Sequence, residues 1–190
     1  MAVGGDVGLD QLAKNLTSYL VSFDPHVVIL GGDIAYDDGM KTCFYSWDNF
    51  YQIFEEELNN KLGRLVPLIM SVGNHDVGFD SLATVQLDMD DLDEIPNFFI
   101  LNPQHLTSDG NIPEPKDRST VHKHVIGPTV HAHLDSGYIQ NFKNQRYFIE
   151  LIAKEYPNHY KFANYHNPMF PSCTDSEPGS VNIWLTYRMM

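Results

Sequence analysis

The chain has 190 residues, 43% of them hydrophobic, 12% aromatic and 19% charged, which supports a packed core and excludes wholesale disorder. A formal net charge of −13 excludes nucleic acid as the default partner, because phosphate backbones are held by clustered Lys and Arg. It leaves a phosphorylated substrate open, since carboxylates that gather cations make an electropositive site.

The first two-thirds reads as alternating strands and helices. Ala2-Val3 is the stub of a strand that ends at Gly4-Gly5-Asp6, and Leu9, Leu12, Leu16, Tyr19 and Leu20 recur at helical spacing as one apolar face. Pro25 breaks that helix. Val27 to Leu30 is a short apolar run, as expected of a buried parallel strand, and it runs into Gly31-Gly32-Asp33. A helix is predicted from Ser46 to about Leu62 with Trp47, Phe50, Phe54 and Leu58 inward. A further strand is predicted over Leu65 to Val72, leading into Gly73-Asn74-His75-Asp76.

The pattern then loosens from Phe79 to Arg118, with an acidic run from Asp88 to Glu94 that lacks calcium-loop spacing and reads as a solvated loop. Val121 to Ile126 and Thr129 to Leu134 flank Gly127-Pro128 as a hairpin. Tyr147, Phe148, Leu151 and Ile152 mark a helix face, and Tyr160 to Tyr165 a last strand ending at His166-Asn167-Pro168. This order implies an α/β fold of largely parallel core sheet flanked by helices. Ligands in such folds bind beyond the carboxyl ends of the strands, where Asp6, Asp33, Asn74 and His166 all fall. No apolar run is long enough for a membrane span, and Met1 leads directly into the first strand with no signal-like segment.

Gly-Gly-Asp-Val-Gly at 4–8, Gly-Gly-Asp-Ile-Ala-Tyr at 31–36, Gly-Asn-His-Asp at 73–76 and Tyr-His-Asn-Pro at 165–168 occur in that order. Together they resemble the calcineurin-like metallophosphoesterase superfamily, and within it the purple acid phosphatases. Most of the superfamily opens with Asp-x-His, whereas Gly8 stands at the third position here. Purple acid phosphatases carry instead a tyrosinate three residues after the second-motif Asp, the place of Tyr36. Tyrosinate is a hard oxygen donor suited to Fe(III).

The resemblance implies a metallophosphoesterase-type layered sandwich, here a single domain over 1–190 that is incomplete at both ends. It implies two metal ions, Fe(III) with Fe(II), Zn or Mn. Asp6 and Tyr36 would hold the first metal, Asp33 would bridge, and Asn74 and His166 would hold the second. His75 would act on the substrate phosphate or leaving oxygen, with Asp76 orienting it. The activity implied is hydrolysis of a phosphoric ester, most simply a phosphomonoester, with a secreted, vacuolar or lysosomal setting. Diester or pyrophosphate hydrolysis on the same metal pair is the neighbouring alternative.

The sequence departs from the family at one point. A Gly-His-x-His motif, one imidazole for each metal, is expected after the last strand, yet no histidine follows His166. A catalytically incompetent remnant is therefore the competing reading. His131-Ala132-His133 has the right spacing but precedes His166, lacks the leading Gly, and runs into Leu134-Asp135-Ser136-Gly137, which resembles a non-ligating strand of the family. His122 and His124 alternate on a strand and read as solvent-facing or structural, and His26, His105 and His159 as surface residues. Asn15-Leu16-Thr17 is a glycosylation sequon inside a predicted helix. Whether Cys43 and Cys173 pair stays open, both lying a few residues beyond ligand loops.

Overall fold

The structure is a computed structural model that describes residues 1–78, 95–104 and 109–167. The acidic run, His105, Cys173 and the tail lie outside the described residues; Cys43 is half-buried and has no disulfide among the described residues. Strands β1 (Ala2–Gly4), β2 (Val28–Leu30) and β3 (Leu68–Met70) form a parallel sheet in the order β1-β2-β3. Between them run α1 (Gln11–Leu20) and α2 (Tyr45–Phe54), the latter continuing through a π turn at Glu55–Asn59 into α3 (Asn60–Leu62). Two short helices follow, α4 (Asn74–Val77) and α5 (Asn97–Leu101). The rest is a second sheet of β4 (His122–Ile126), β5 (Thr129–His133) and β6 (Tyr160–Asn164), with α6 (Phe142–Glu155) before its last strand.

Local signals account for these boundaries. Asp10 caps α1 by accepting from the Ala13 N–H at 2.9 Å, and Asn141 caps α6 in the same way through Asn144. Gly63 ends α3 in the left-handed region that a C-terminal glycine favours. The 3.6-residue spacing of Trp47, Phe50, Phe54 and Leu58 places all four in the core with Val28, Leu30 and Met70, as the sequence predicts.

Two helix faces differ from expectation. Leu12, Leu16 and Tyr19 are 61%, 57% and 63% exposed, and α1 turns Ala13 and Thr17 inward instead. Small residues let α1 lie close against the π turn, and the larger side chains form an outer stripe that Phe23 extends. On α6, Tyr147 and Leu151 are exposed, while Ile152 is buried against Val130 and Ala132 with Phe148 packed alongside.

The second sheet changes the expected picture most. The strand leading to His166 pairs parallel with β5, and β5 pairs antiparallel with β4, so the chain has one parallel and one mixed sheet. Alternation along the strands sets the layers. Val28, Leu30 and Met70 point toward α2, while Ile29 and Ile69 point the other way and meet Ile126 of β4. Val130 and Ala132 point outward again to α6. The order is helices, parallel sheet, mixed sheet, helix.

Asp135 organises the turn after β5. Buried at 2% exposure, it accepts from the N–H groups of Gly137, Tyr138, Ile139 and Gln140 and from the Thr120 hydroxyl. Removing the acceptor strands several buried donors at once. Asp135→Ala should lower the unfolding free energy by about 3 kcal/mol, read as a reduced urea midpoint with an unchanged slope.

Candidate metal centre

The loops after β1, β2 and β3 are tied edge to edge by backbone hydrogen bonds. Gly31 N–H donates to the Gly4 carbonyl at 2.7 Å, Asp6 N–H to Gly32 at 3.0 Å, and Val7 N–H to Asp33 at 2.9 Å. The carboxylate of Asp76 joins the second and third loops. Its Oδ2 accepts from the Asp33 N–H at 2.9 Å and the Gly73 N–H at 2.8 Å, and its Oδ1 from the Ile34 N–H at 2.9 Å. Asp76 is fully buried, and burial pushes its carboxyl up to about 7 against the opposing pull of those backbone bonds.

The two loops approach so closely that only glycine fits between them. A methyl group on Gly73 would lie 2.2 Å from both the amide nitrogen and Oδ1 of Asp33. The packing forces the backbone into unusual conformations. Asp6, Asp33, Tyr36 and Asp38 all have positive φ, between 50° and 53°. Left-handed backbone costs a non-glycine residue roughly 1–2 kcal/mol, and four such residues within one site mark it as a place where strain is stored.

At this edge the structure brings together most of the residues expected from sequence. Asp33 is buried; its Oδ1 accepts from the His75 N–H at 3.0 Å and its Oδ2 lies 3.2 Å from His166 Nε2. His166 Nε2 also lies 2.8 Å from the Asn74 side-chain oxygen. One ligand-type atom each from Asp6, Asp33 and His166 falls within 4.8 Å of the others. The Tyr36 ring lies against His75, with centroids 4.7 Å apart, and its phenol is near the Asp33 and Asp6 carboxylates. Burial, then the charges of Asp33, Asp6 and Asp76, push the Tyr36 phenol up to about 12. The His166 imidazole is pulled down by burial, but its hydrogen bond to Asp33 and the Asp33, Asp6 and Asp76 charges outweigh this and raise it.

Asp76 does not take the orienting role expected from sequence, because its oxygens are committed to the loop backbones. The partner of His75 Nδ1 is Asp38, whose Oδ1 lies 2.5 Å away. Asp38 reaches it from a turn anchored by its buried neighbour Asp37, which accepts from Trp47 Nε1 and the Asn97 side chain, each at 2.9 Å. Asp37-Asp38-Gly39 is a turn signature, and Gly39 has a φ of 67°, so the turn was legible although its aim was not. Of the other histidines, His26 is exposed, His159 is half-buried against Tyr156, and His122, His131 and His133 are buried.

Gly73→Ala should lower stability by about 3 kcal/mol through overpacking, seen in thermal unfolding. The control Gly63→Ala has open space around it and differs in its positive φ of 67°, and should cost about 1 kcal/mol. Carboxylate, phenol, amide and imidazole on converging loops are hard oxygen and nitrogen donors, the set that divalent and trivalent cations take. A search of curated proteins finds no match to this chain. The family model for calcineurin-like phosphoesterase matches residues 3–187, and no helix among the described residues is long and apolar enough to cross a membrane. The chain belongs to the calcineurin-like phosphoesterase family, whose members are metal-dependent hydrolases of phosphoesters.

Proposed function

We propose that the chain is a two-metal phosphomonoesterase of the purple acid phosphatase type. One observation carries the reading: ligand-type atoms of Asp6, Asp33 and His166 lie within 4.8 Å of one another, with the Asn74 side-chain oxygen 2.8 Å from His166 Nε2. A carboxylate so placed is suited to bridging two cations, which when bound would supply Lewis acidity and a hydroxide at moderate pH. Tyr36 and Asp6 would hold the first cation, Fe(III) being the one a phenolate suits best. Asn74 and His166 would hold the second, either Fe(II), Zn or Mn, and Asn74 as a neutral oxygen donor would leave net positive charge for a phosphate.

The remaining work falls to His75. Its Nδ1 faces Asp38, so Nε2 would be the nitrogen that meets a phosphate oxygen or a leaving alkoxide. Asp38 would accept from Nδ1–H and fix the ring's orientation, and Nε2 would give a proton from the imidazolium form. The Tyr36 ring lying against His75 limits its rotation. The loop glycines keep side chains out of the space above Asp33.

A second reading is a site that binds cations or phosphate without turnover. Metal counting and kinetics separate the two. Protein loaded with iron and zinc or manganese should bind two equivalents and hydrolyse p-nitrophenyl phosphate faster than its diester. Asp33→Ala should abolish both binding and turnover. Asp38→Asn should keep the metals and lower kcat about 100-fold. Tyr36→Phe should bleach a tyrosinate-to-iron absorption band. Two bound metals without turnover would favour the second reading, and a colourless active enzyme would remove the purple assignment while leaving phosphoester hydrolysis.

A further inference from the structure

The face of β4 and β5 that looks toward the parallel sheet carries four histidines, none of which the phosphoester chemistry uses. His122 pairs across the hairpin with His133, and His124 with His131. The rings are packed together. His122 and His133 are stacked with centroids 4.6 Å apart, and His124 stands edge-on to them at 5.1 and 5.7 Å. His131 stacks on Phe162 of β6. His131 and His133 are at most 1% exposed.

Hydrogen-bond chains fix the protons on these rings. The Thr129 hydroxyl donates to the Ile126 carbonyl at 2.7 Å, so it accepts from His131 Nε2–H at 3.1 Å and leaves Nδ1 bare. The Ser71 hydroxyl donates to the Asn164 carbonyl at 3.4 Å and accepts from His133 Nδ1–H at 2.9 Å, leaving Nε2 bare. His122 Nε2–H donates to the Met70 carbonyl at 3.1 Å. The bare His131 Nδ1 and His133 Nε2, together with His124 Nε2, are buried and have no hydrogen-bond partner among the described residues. A buried lone pair without a donor is a standing cost, and a proton added there would exchange it for a charged N–H without an acceptor.

The surroundings oppose that proton. Among the described residues, β3 and the residue after it offer the Met70 carbonyl and the Ser71 hydroxyl, and β6 of the mixed sheet offers Phe162 and Asn164. Among the described residues, the titratable side chains of Tyr51, Glu55 and Arg64 share with His124 the walls of a cavity of about 920 Å³. Lys123 lies on the opposite face with Glu155 and Tyr156. Burial, and for His133 the three neighbouring imidazoles as well, hold these groups low, with His133 down to about 2. His124 is lowered by burial and by His131.

The cluster also joins the two halves of the candidate metal centre. Ser71 lies on the segment that leads from β3 to Asn74, and the sheet holding His131 and His133 extends through β6 to His166. The His133–Ser71 and His122–Met70 contacts hold these segments in register, and His166 then meets Asn74 at 2.8 Å.

We propose that this histidine cluster is a proton-operated latch, which clamps the mixed sheet to the parallel sheet when neutral and releases it, with His166, when protonated in mild acid. The effect on the metal centre rests on the reading of His166 as a ligand, whereas the latch itself does not. The sign follows from linkage. The unfolded chain takes up protons near pH 6.5 and the clamped state does not, so the clamp is fully formed above that pH and weakens as pH falls below it.

Hydrogen exchange on the metal-free full chain tests the latch directly. After correction for intrinsic rates, the opening constant of the β4–β6 amides should rise about tenfold per pH unit for each proton taken up below pH 6. His133→Met, apolar and of similar volume, should flatten that slope by about one proton. If that variant does not fold, His131→Phe, which keeps a ring against Phe162, carries the same expectation. An opening constant independent of pH, or a variant slope equal to wild type, would overturn the proposal. Zn²⁺ affinity measured in parallel at pH 7.5 and 5.5 keeps the two readings apart. Acid-dependent exchange without metal binding leaves the latch standing and removes His166 as a ligand, whereas metal binding with pH-independent exchange removes the latch alone.

Discussion

A single buried carboxylate holds the candidate site together. Asp76 accepts hydrogen bonds from Gly73, Asp33 and Ile34, and so joins the loop after β2 to the loop after β3 across a gap too narrow for any side chain. Everything downstream inherits that geometry. It fixes the left-handed backbone of Asp33, aims the Asp33 carboxylate at His166, and sets the His75 N–H against it. A carboxylate of this kind shapes the site without facing the substrate. Its value lies in satisfying backbone donors that would otherwise be buried and unpaired.

The site is assembled from two sheets. Asp6, Asp33 and Asn74 come from loops of the parallel sheet, whereas His166 arrives from the mixed sheet. The three loop residues are locked by short backbone bonds, and His166 depends on how the second sheet seats on the first. That division gives the inter-sheet face a functional weight that a uniform apolar core would lack. Polar contacts at such a face specify one register, because each leaves a buried group unsatisfied if the sheets slip.

Much of this was legible in the sequence. Strand ends marked by Gly-Gly-Asp, Gly-Gly-Asp and Gly-Asn-His-Asp fall where the structure has them, because short apolar runs closed by glycine admit few alternatives. The core face of α2 was equally readable, since Trp47, Phe50, Phe54 and Leu58 keep helical spacing through the π turn. What could not be read depended on partners distant in sequence. The Asp38–His75 pair spans 37 positions, and the commitment of Asp76 to backbone donors shows only when both loops are in place. Periodicity named only part of the buried face of α1: Leu9 and Leu20 pack on the core, but it is blind to the close approach that Ala13 and Thr17 permit and that leaves Leu12, Leu16 and Tyr19 outside. The pairing of β6 with the hairpin rather than with the parallel sheet escaped for the same reason: strand pairing is a long-range choice that local pattern does not encode.

The outer stripe of α1 has a colloidal consequence. Leu12, Leu16, Tyr19 and Phe23 present a sticky ridge on a molecule whose formal charge is −13. In dilute buffer the like charges of two molecules keep such ridges apart, but at 1 M salt the screening length shrinks to about 3 Å and that protection is lost. Ionic strength, as much as protein concentration, therefore governs whether these molecules stay dispersed.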